Sequence, residues 1–129
     1  MKILVVDDDE SLSSIIATAL EKEGFPTLSA KTGRDALEKA RIEAPDLILL
    51  DQVLPDISGN EVLKQLKLDI QTKNIPVMMI TNFSQEELVA QAINEGAIDY
   101  VFKYKVEIAD IVNKIKNALK KDESAPSAQ

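Results

Sequence analysis

"LILLDQVLPDISG", residues 47 to 59, carries four apolar residues straight into Asp51 and then into a turn-like Pro-Asp-Ile-Ser-Gly stretch. A short apolar run without alternation reads as a strand covered on both faces, as in a parallel sheet flanked by helices. A single acid at its end marks no more than the place where the chain meets water. What Asp51 does there depends on what the rest of the sequence brings beside it.

Four more short apolar segments share this character: "KILVVD" (2 to 7), "PTLSA" (26 to 30), "IPVMMIT" (75 to 81) and "IDYVFK" (98 to 103). Each of the five is followed by a longer segment with helical periodicity. Leu12, Ile15, Ile16 and Leu20 form the inward stripe of a first helix, and Gly24 sits where a C-cap glycine belongs. A second helix reads from Thr32 with Ala36, Leu37 and Ala40 inward. The third has Ser58 and Glu61 in capping-box spacing ahead of Val62, Leu63 and Leu66. Ser84 and Glu87 repeat that spacing before Leu88, Ala92 and Ile93, and Gly96 stops the helix. The last carries Ile108, Ile111, Val112, Ile115 and Leu119. Strands alternating with helices imply parallel pairing through right-handed crossovers, hence a five-stranded doubly wound α/β domain. Its expected extent is 1 to 121, with 122 to 129 a disordered tail or linker stub.

The chain has 129 residues, 45% apolar and 29% charged, the size and balance of one globular domain. Lys and Arg total 15 against 22 Asp and Glu, and the net charge of -7 opposes direct binding to nucleic acid or anionic membranes. Lys114, Lys116, Lys120 and Lys121 are spaced along the last helix as a solvated face. Without cysteine or histidine there are no disulfides, no thiolate or imidazole metal sites and no imidazole base. Any metal must be held by oxygen. No apolar run approaches bilayer length and no signal-peptide pattern follows Met1, so a cytoplasmic location is expected.

In open α/β sheets ligands bind outside the carboxyl ends of the strands. The residues at those ends are Asp7 with Asp8, Asp51, Thr81 and Lys103, which the topology draws to one rim. Clustered carboxylates repel one another, and a bound divalent cation offsets the repulsion. An all-oxygen donor set favours Mg²⁺, with Mn²⁺ also accommodated. Aspartate can act as a nucleophile toward phosphorus, while a hydroxyl and an ammonium stabilise phosphoryl oxygens by position and charge.

With these residues in place the sequence resembles the receiver (CheY-like) domain of two-component response regulators over residues 1 to about 121. The matching motifs are "ILVVDDDESL", "PDLILLDQVLPDISGNEVL", "IPVMMIT" and "GAIDYVFK". The resemblance implies a flavodoxin-like sheet in the order 2-1-3-4-5, with Asp51 as phosphoacceptor and Asp7 and Asp8 as the acidic pair that binds the metal with the Val53 carbonyl. Thr81 would bind the phosphoryl group, Lys103 would pair with it, and Tyr100 would be the aromatic that changes position on activation. Gln52, Asn82 and Phe83 would stand on the rim. The implied partners are a histidine kinase or phosphotransfer protein and a downstream protein, met as a monomer or a phosphorylation-dependent dimer. Such a module is no enzyme beyond catalysing its own phosphorylation and dephosphorylation.

Two positions depart from the family's pattern. Proline usually follows the lysine, often with a cis bond; here Tyr104 does, for which a cis peptide costs roughly 3 kcal/mol. The position after the threonine is usually small and here is Asn82, which crowds the rim or adds a donor to it. Two places beyond the phosphoacceptor and the threonine stand Val53 and Phe83. Neither can position a water, which implies slow loss of an aspartyl phosphate.

Two rivals remain. "ILVVDDDES" also resembles the nucleophile motif of haloacid-dehalogenase-type phosphatases, which would make Asp7 the nucleophile, although the chain is short for that family. The other is a receiver-like docking module that is not phosphorylated, for which the acid, threonine and lysine set would have no use.

Overall fold

The computed structural model of the chain describes residues 1–81, 86–103 and 107–124. In chain order the elements are β1 (Ile3–Val6), α1 (Glu10–Lys22), β2 (Thr27–Ala30), α2 (Gly33–Glu43), β3 (Leu47–Asp51), α3 (Gly59–Leu68), β4 (Val77–Thr81), α4 (Glu86–Asn94), β5 (Asp99–Phe102) and α5 (Ile108–Ser124). All strand pairs are parallel and the order is β2-β1-β3-β4-β5. That is the expected doubly wound sheet. α5 runs three residues past 121, to Ser124, while 125 to 129 lie outside the described residues.

Residue alternation along the strands makes two cores. Leu4, Val6, Ile48, Leu50, Val77 and Met79 face one way, packed with α2, α3 and α4 through Ala36, Ala40, Val62, Leu63, Leu66 and Ala92. Ile3, Val5, Leu47, Leu49, Met78 and Ile80 face the other, against Ile16 and Leu20 of α1 and Ile111, Ile115 and Leu119 of α5. β1, β3 and β4 are buried along their whole length, which is why their sequences do not alternate.

The helix starts follow their caps. Thr32 Oγ1 accepts from Asp35 N at 3.1 Å, and Ser58 Oγ accepts from Glu61 N at 3.1 Å. Ser84, expected to cap α4, lies outside the described residues. Gly24 (φ +90°) and Gly96 (φ +112°) close α1 and α4 in a conformation that side chains rarely adopt.

Three helix residues expected inward point out. Ile15 is 53% exposed, and Leu88 and Ile93 of α4 are 38% and 40% exposed, with Val89 buried in their place. Successive helix residues are turned by about 100°. Ile16 and Leu20 centre the buried stripe of α1, as Val89 and Ala92 do that of α4, so the flanking apolar residues sit on the shoulders.

Candidate functional site

Register builds the rim. Val6 pairs with Leu50, and Asp51 with Ile80, so Asp7, Asp51 and Thr81 leave adjoining strands side by side. Thr81 pairs with Phe102, and Lys103 N donates to Thr81 O at 2.8 Å, which brings Lys103 to the same edge. Asp7 and Asp51 are each 2% exposed and Thr81 is fully buried, whereas Asp8 is open to solvent.

Lys103 is the hub. Its Nζ donates to Asp51 Oδ2 at 2.9 Å and lies 3.4 Å from Asp7 Oδ2. Asp9 N donates to Asp7 Oδ1 at 2.9 Å, and Val53 N to Asp51 Oδ1 at 3.3 Å. Burial is the main influence on Asp51 and pushes its carboxyl up from 3.8 to about 6. The nearby Asp7 charge adds to that, while the hydrogen bonds from Lys103 and Val53 pull the other way. For Lys103 burial favours loss of the proton, but the bond to Asp51 and the two carboxylate charges outweigh it and hold the ammonium above its ordinary value.

One cation does not satisfy this acid set. Apart from its 3.4 Å ion pair with Lys103, buried Asp7 Oδ2 has no hydrogen bond among the described residues, and ligand oxygens of Asp7, Asp8 and Asp51 lie within 4.8 Å of one another. An oxygen-only cluster with an orphaned carboxylate oxygen fits a hard divalent cation.

Among the other expected residues, Gln52 is buried beneath the rim and Val53 is half exposed. Tyr100 packs edge-on against Phe102 with ring centroids 5.3 Å apart, and Lys114 Nζ donates to Tyr100 O at 3.2 Å. Asn82, Phe83 and Tyr104 lie outside the described residues. Two contributors are absent from the sequence reading. Asp56, in the loop after β3, caps the backbone of α2, and Asn60 of α3 bonds both Gln52 and α4. Asn60 stands three residues before the buried Leu63, and a polar residue on that stripe was the available signal.

A family model for the response regulator receiver domain matches residues 3–116. The chain belongs to the response regulator receiver family. It is 38% identical over 129 residues to the alkaline phosphatase synthesis transcriptional regulatory protein PhoP of Bacillus subtilis, covering 99% of this chain and 52% of that protein. It is also 37% identical over 102 residues to protein PilH of Pseudomonas aeruginosa, covering 79% and 84%. The chain thus spans about half the length of the first of these relatives. A receiver domain protein (CheY-like) from Methanospirillum hungatei superposes with a TM-score of 0.88 at 31% identity, over 96% of this chain and 97% of that one. The protein is therefore a receiver domain of the two-component type, a signalling module, and its acid cluster is consistent with a phosphoacceptor role. The haloacid-dehalogenase reading of Asp7 is not favoured. Among the described residues no helix is long and apolar enough to cross a membrane.

Proposed function

We propose that Asp51 accepts a phosphoryl group from the phosphohistidine of a partner kinase or phosphotransfer protein, or from a small phosphodonor. The observation that carries this is Lys103 Nζ lying between Asp51 and Asp7, 2.9 and 3.4 Å from their Oδ2 atoms, at the carboxyl edge of the sheet. A carboxylate oxygen of Asp51 forms the new bond to phosphorus as the phosphorus–nitrogen bond to the donor imidazole breaks, its electron pair returning to that ring. Lys103 screens the negative charge on the phosphoryl oxygens, and Thr81 supplies a hydroxyl to one of them. Asp7, Asp8, Asp51 and the Val53 carbonyl would hold Mg²⁺, which neutralises phosphoryl charge when bound; Mn²⁺ suits the same donors.

The added charge of about -1.5 to -2 then biases the face made by α4, β5 and α5, where Tyr100 sits, toward a downstream protein. Nucleic acid is not the direct partner of these residues, given the net charge of -7. The test is intact mass after treatment with acetyl phosphate and Mg²⁺. One phosphoryl group is expected on the wild type and none on Asp51→Asn; a label that persists in that variant removes Asp51 from the role.

A further inference from the structure

Asp51 and Gln52 leave β3 on opposite faces of the sheet. Leu47 and Leu49 belong to the core under α1 and α5, and Ile48 and Leu50 to the core under α2, α3 and α4. Alternation therefore sends Gln52 toward α3 and α4, directly behind the acid. Its backbone is held on both sides, with Gln52 N donating to Ile80 O at 3.2 Å and Gln52 O accepting from Gly59 N at 2.8 Å. Its side chain, 2% exposed, donates through Nε2 to Asn60 Oδ1 at 2.9 Å, and Asn60 Nδ2 donates to Leu88 O in α4 at 3.0 Å.

Two amides thus join the residue after Asp51 to the backbone of α4, beside an apolar core that includes Leu50, Leu63, Met79 and Ala92. Apolar side chains would fill that space without desolvating two amides. The arrangement also leaves Gln52 Oε1 buried with no hydrogen-bond partner among the described residues. An orphaned acceptor is a cost that a core with one arrangement has no reason to keep. It is explained if a second arrangement satisfies it.

We propose that Gln52 and Asn60 are positioning residues that hold α4 in its unphosphorylated place, and that phosphorylation of Asp51 releases α4 by shifting Gln52 and breaking the link. The proposal rests on the Asp51 reading above. The link is directional and short, so a displacement of Gln52 by a fraction of a bond length is enough to break it. Where α4 meets β5, a cavity of about 520 Å³ lined by Val89, Ala90, Ile93, Asn94, Tyr100 and Phe102 gives the helix room to move. Apolar replacement of Asn60 removes the tether and leaves the rim carboxylates and Lys103 untouched.

The experiment compares backbone amide shifts of residues 86–94 before and after acetyl phosphate and Mg²⁺ in wild type, Asn60→Leu and Gln52→Met, normalised to the labelled fraction from intact mass. The expected result is that Asn60→Leu takes up the same label as wild type, starts with α4 amides already displaced toward their phosphorylated positions, and loses most of the further shift. Gln52→Met should show the same displaced start and the same loss, and the double variant no more than either single, because one link is being cut. Should Asn60→Leu fail to fold, Gln52→Met carries the comparison. Label on wild type with undiminished α4 shifts in the variants overturns the relay alone. Absence of label on wild type overturns the Asp51 reading and the relay with it.

Discussion

The carboxylate of Asp56 holds the backbone of Gly33, 23 residues away in sequence: Oδ1 accepts Gly33 N at 2.8 Å, and Oδ2 accepts the next amide, Arg34 N, at 3.0 Å. With Thr32 Oγ1 on Asp35 N, the first turn of α2 has its otherwise unpaired donors satisfied, two of them from another loop. That loop is the one leaving Asp51, so the same carboxylate braces the path of the chain behind the rim.

A pH dependence follows. The N–H of Gly33 is the main influence that holds the Asp56 carboxyl down from 3.8 to about 2; desolvation opposes it, and the N–H of Arg34 adds to the lowering. A depressed carboxyl contributes stability that is present above 3.8 and lost as the pH falls through about 2. Asp56→Ala should lower the urea midpoint near neutral pH, and its gap to wild type should narrow across that interval. A gap that stays constant down to the lower limit would remove the charged form of Asp56 from the account.

Two glycines near this loop should differ in their tolerance of a methyl group. A Cβ on Gly59 would lie 2.0 Å from Asp51 O and 2.7 Å from Gln52 Cα, both backbone atoms. On Gly33 it would meet Ile57 Cγ1 at 2.5 Å and Val62 Cγ2 at 2.7 Å, side-chain atoms that can turn aside. Gly59→Ala should therefore cost about 3 kcal/mol or more in denaturant unfolding and lower phosphate uptake by displacing Asp51, and Gly33→Ala roughly half as much. Equal costs would show that the backbone behind Asp51 yields as readily as a side chain.

What the sequence made legible was whatever topology forces. Once five strands run parallel, Asp7, Asp51, Thr81 and Lys103 have to finish on one edge, and the meeting of Lys103 with both acids needs only side-chain reach. Local chemistry was equally readable: Thr32 and Ser58 cap because each acceptor lies three residues before its donor. The shoulders of the helices were not, because a stripe of apolar residues does not show its own centre, and Ile15, Leu88 and Ile93 fell outside it. Nor were Asp56 on Gly33, a loop against a helix 23 residues away, or Asn60 on Leu88, one helix against another 28 residues away, which no periodicity encodes.

The acid cluster predicts that proton and metal each stabilise the fold, by relieving the same crowding of carboxylate charge. A carboxyl raised from 3.8 to about 6, as burial raises that of Asp51, destabilises the fold where it is ionised. In chelator the protein should therefore lose stability as the pH rises across that interval. Mg²⁺ at about a hundredfold excess over its Kd should restore roughly 2.7 kcal/mol, read as a rise of several degrees in Tm. Asp7→Asn should abolish that rise, since Asp7 Oδ2 is the buried carboxylate oxygen of the cluster without a hydrogen bond among the described residues. Lys103→Met in chelator should cost about 3 kcal/mol by leaving two buried carboxylates without their cation, and part of that loss should return as the pH is lowered and Asp51 takes up its proton. A Tm rise with Mg²⁺ that survives in Asp7→Asn would place the ion elsewhere.

The lifetime of the phosphoryl group should depend on Val53. An aspartyl phosphate is lost when water reaches phosphorus in line with the departing carboxylate, and a side chain that can hold that water speeds the step. Val53 follows Asp51 by two residues, donates its backbone N–H to Asp51 Oδ1 at 3.3 Å, and is 52% exposed. Its isopropyl group offers no hydrogen bond to an attacking water. Val53→Asn adds a donor and an acceptor with little change of size and should shorten the lifetime about tenfold, equivalent to roughly 1.4 kcal/mol of barrier. Val53→Ile keeps the apolar surface and should leave the lifetime near that of wild type. The measurement is decay of the intact-mass label after removal of acetyl phosphate, in saturating Mg²⁺ so that altered metal affinity does not enter. If Val53→Asn decays at the wild-type rate, the position does not govern access, and the control of lifetime lies with the residues after Thr81.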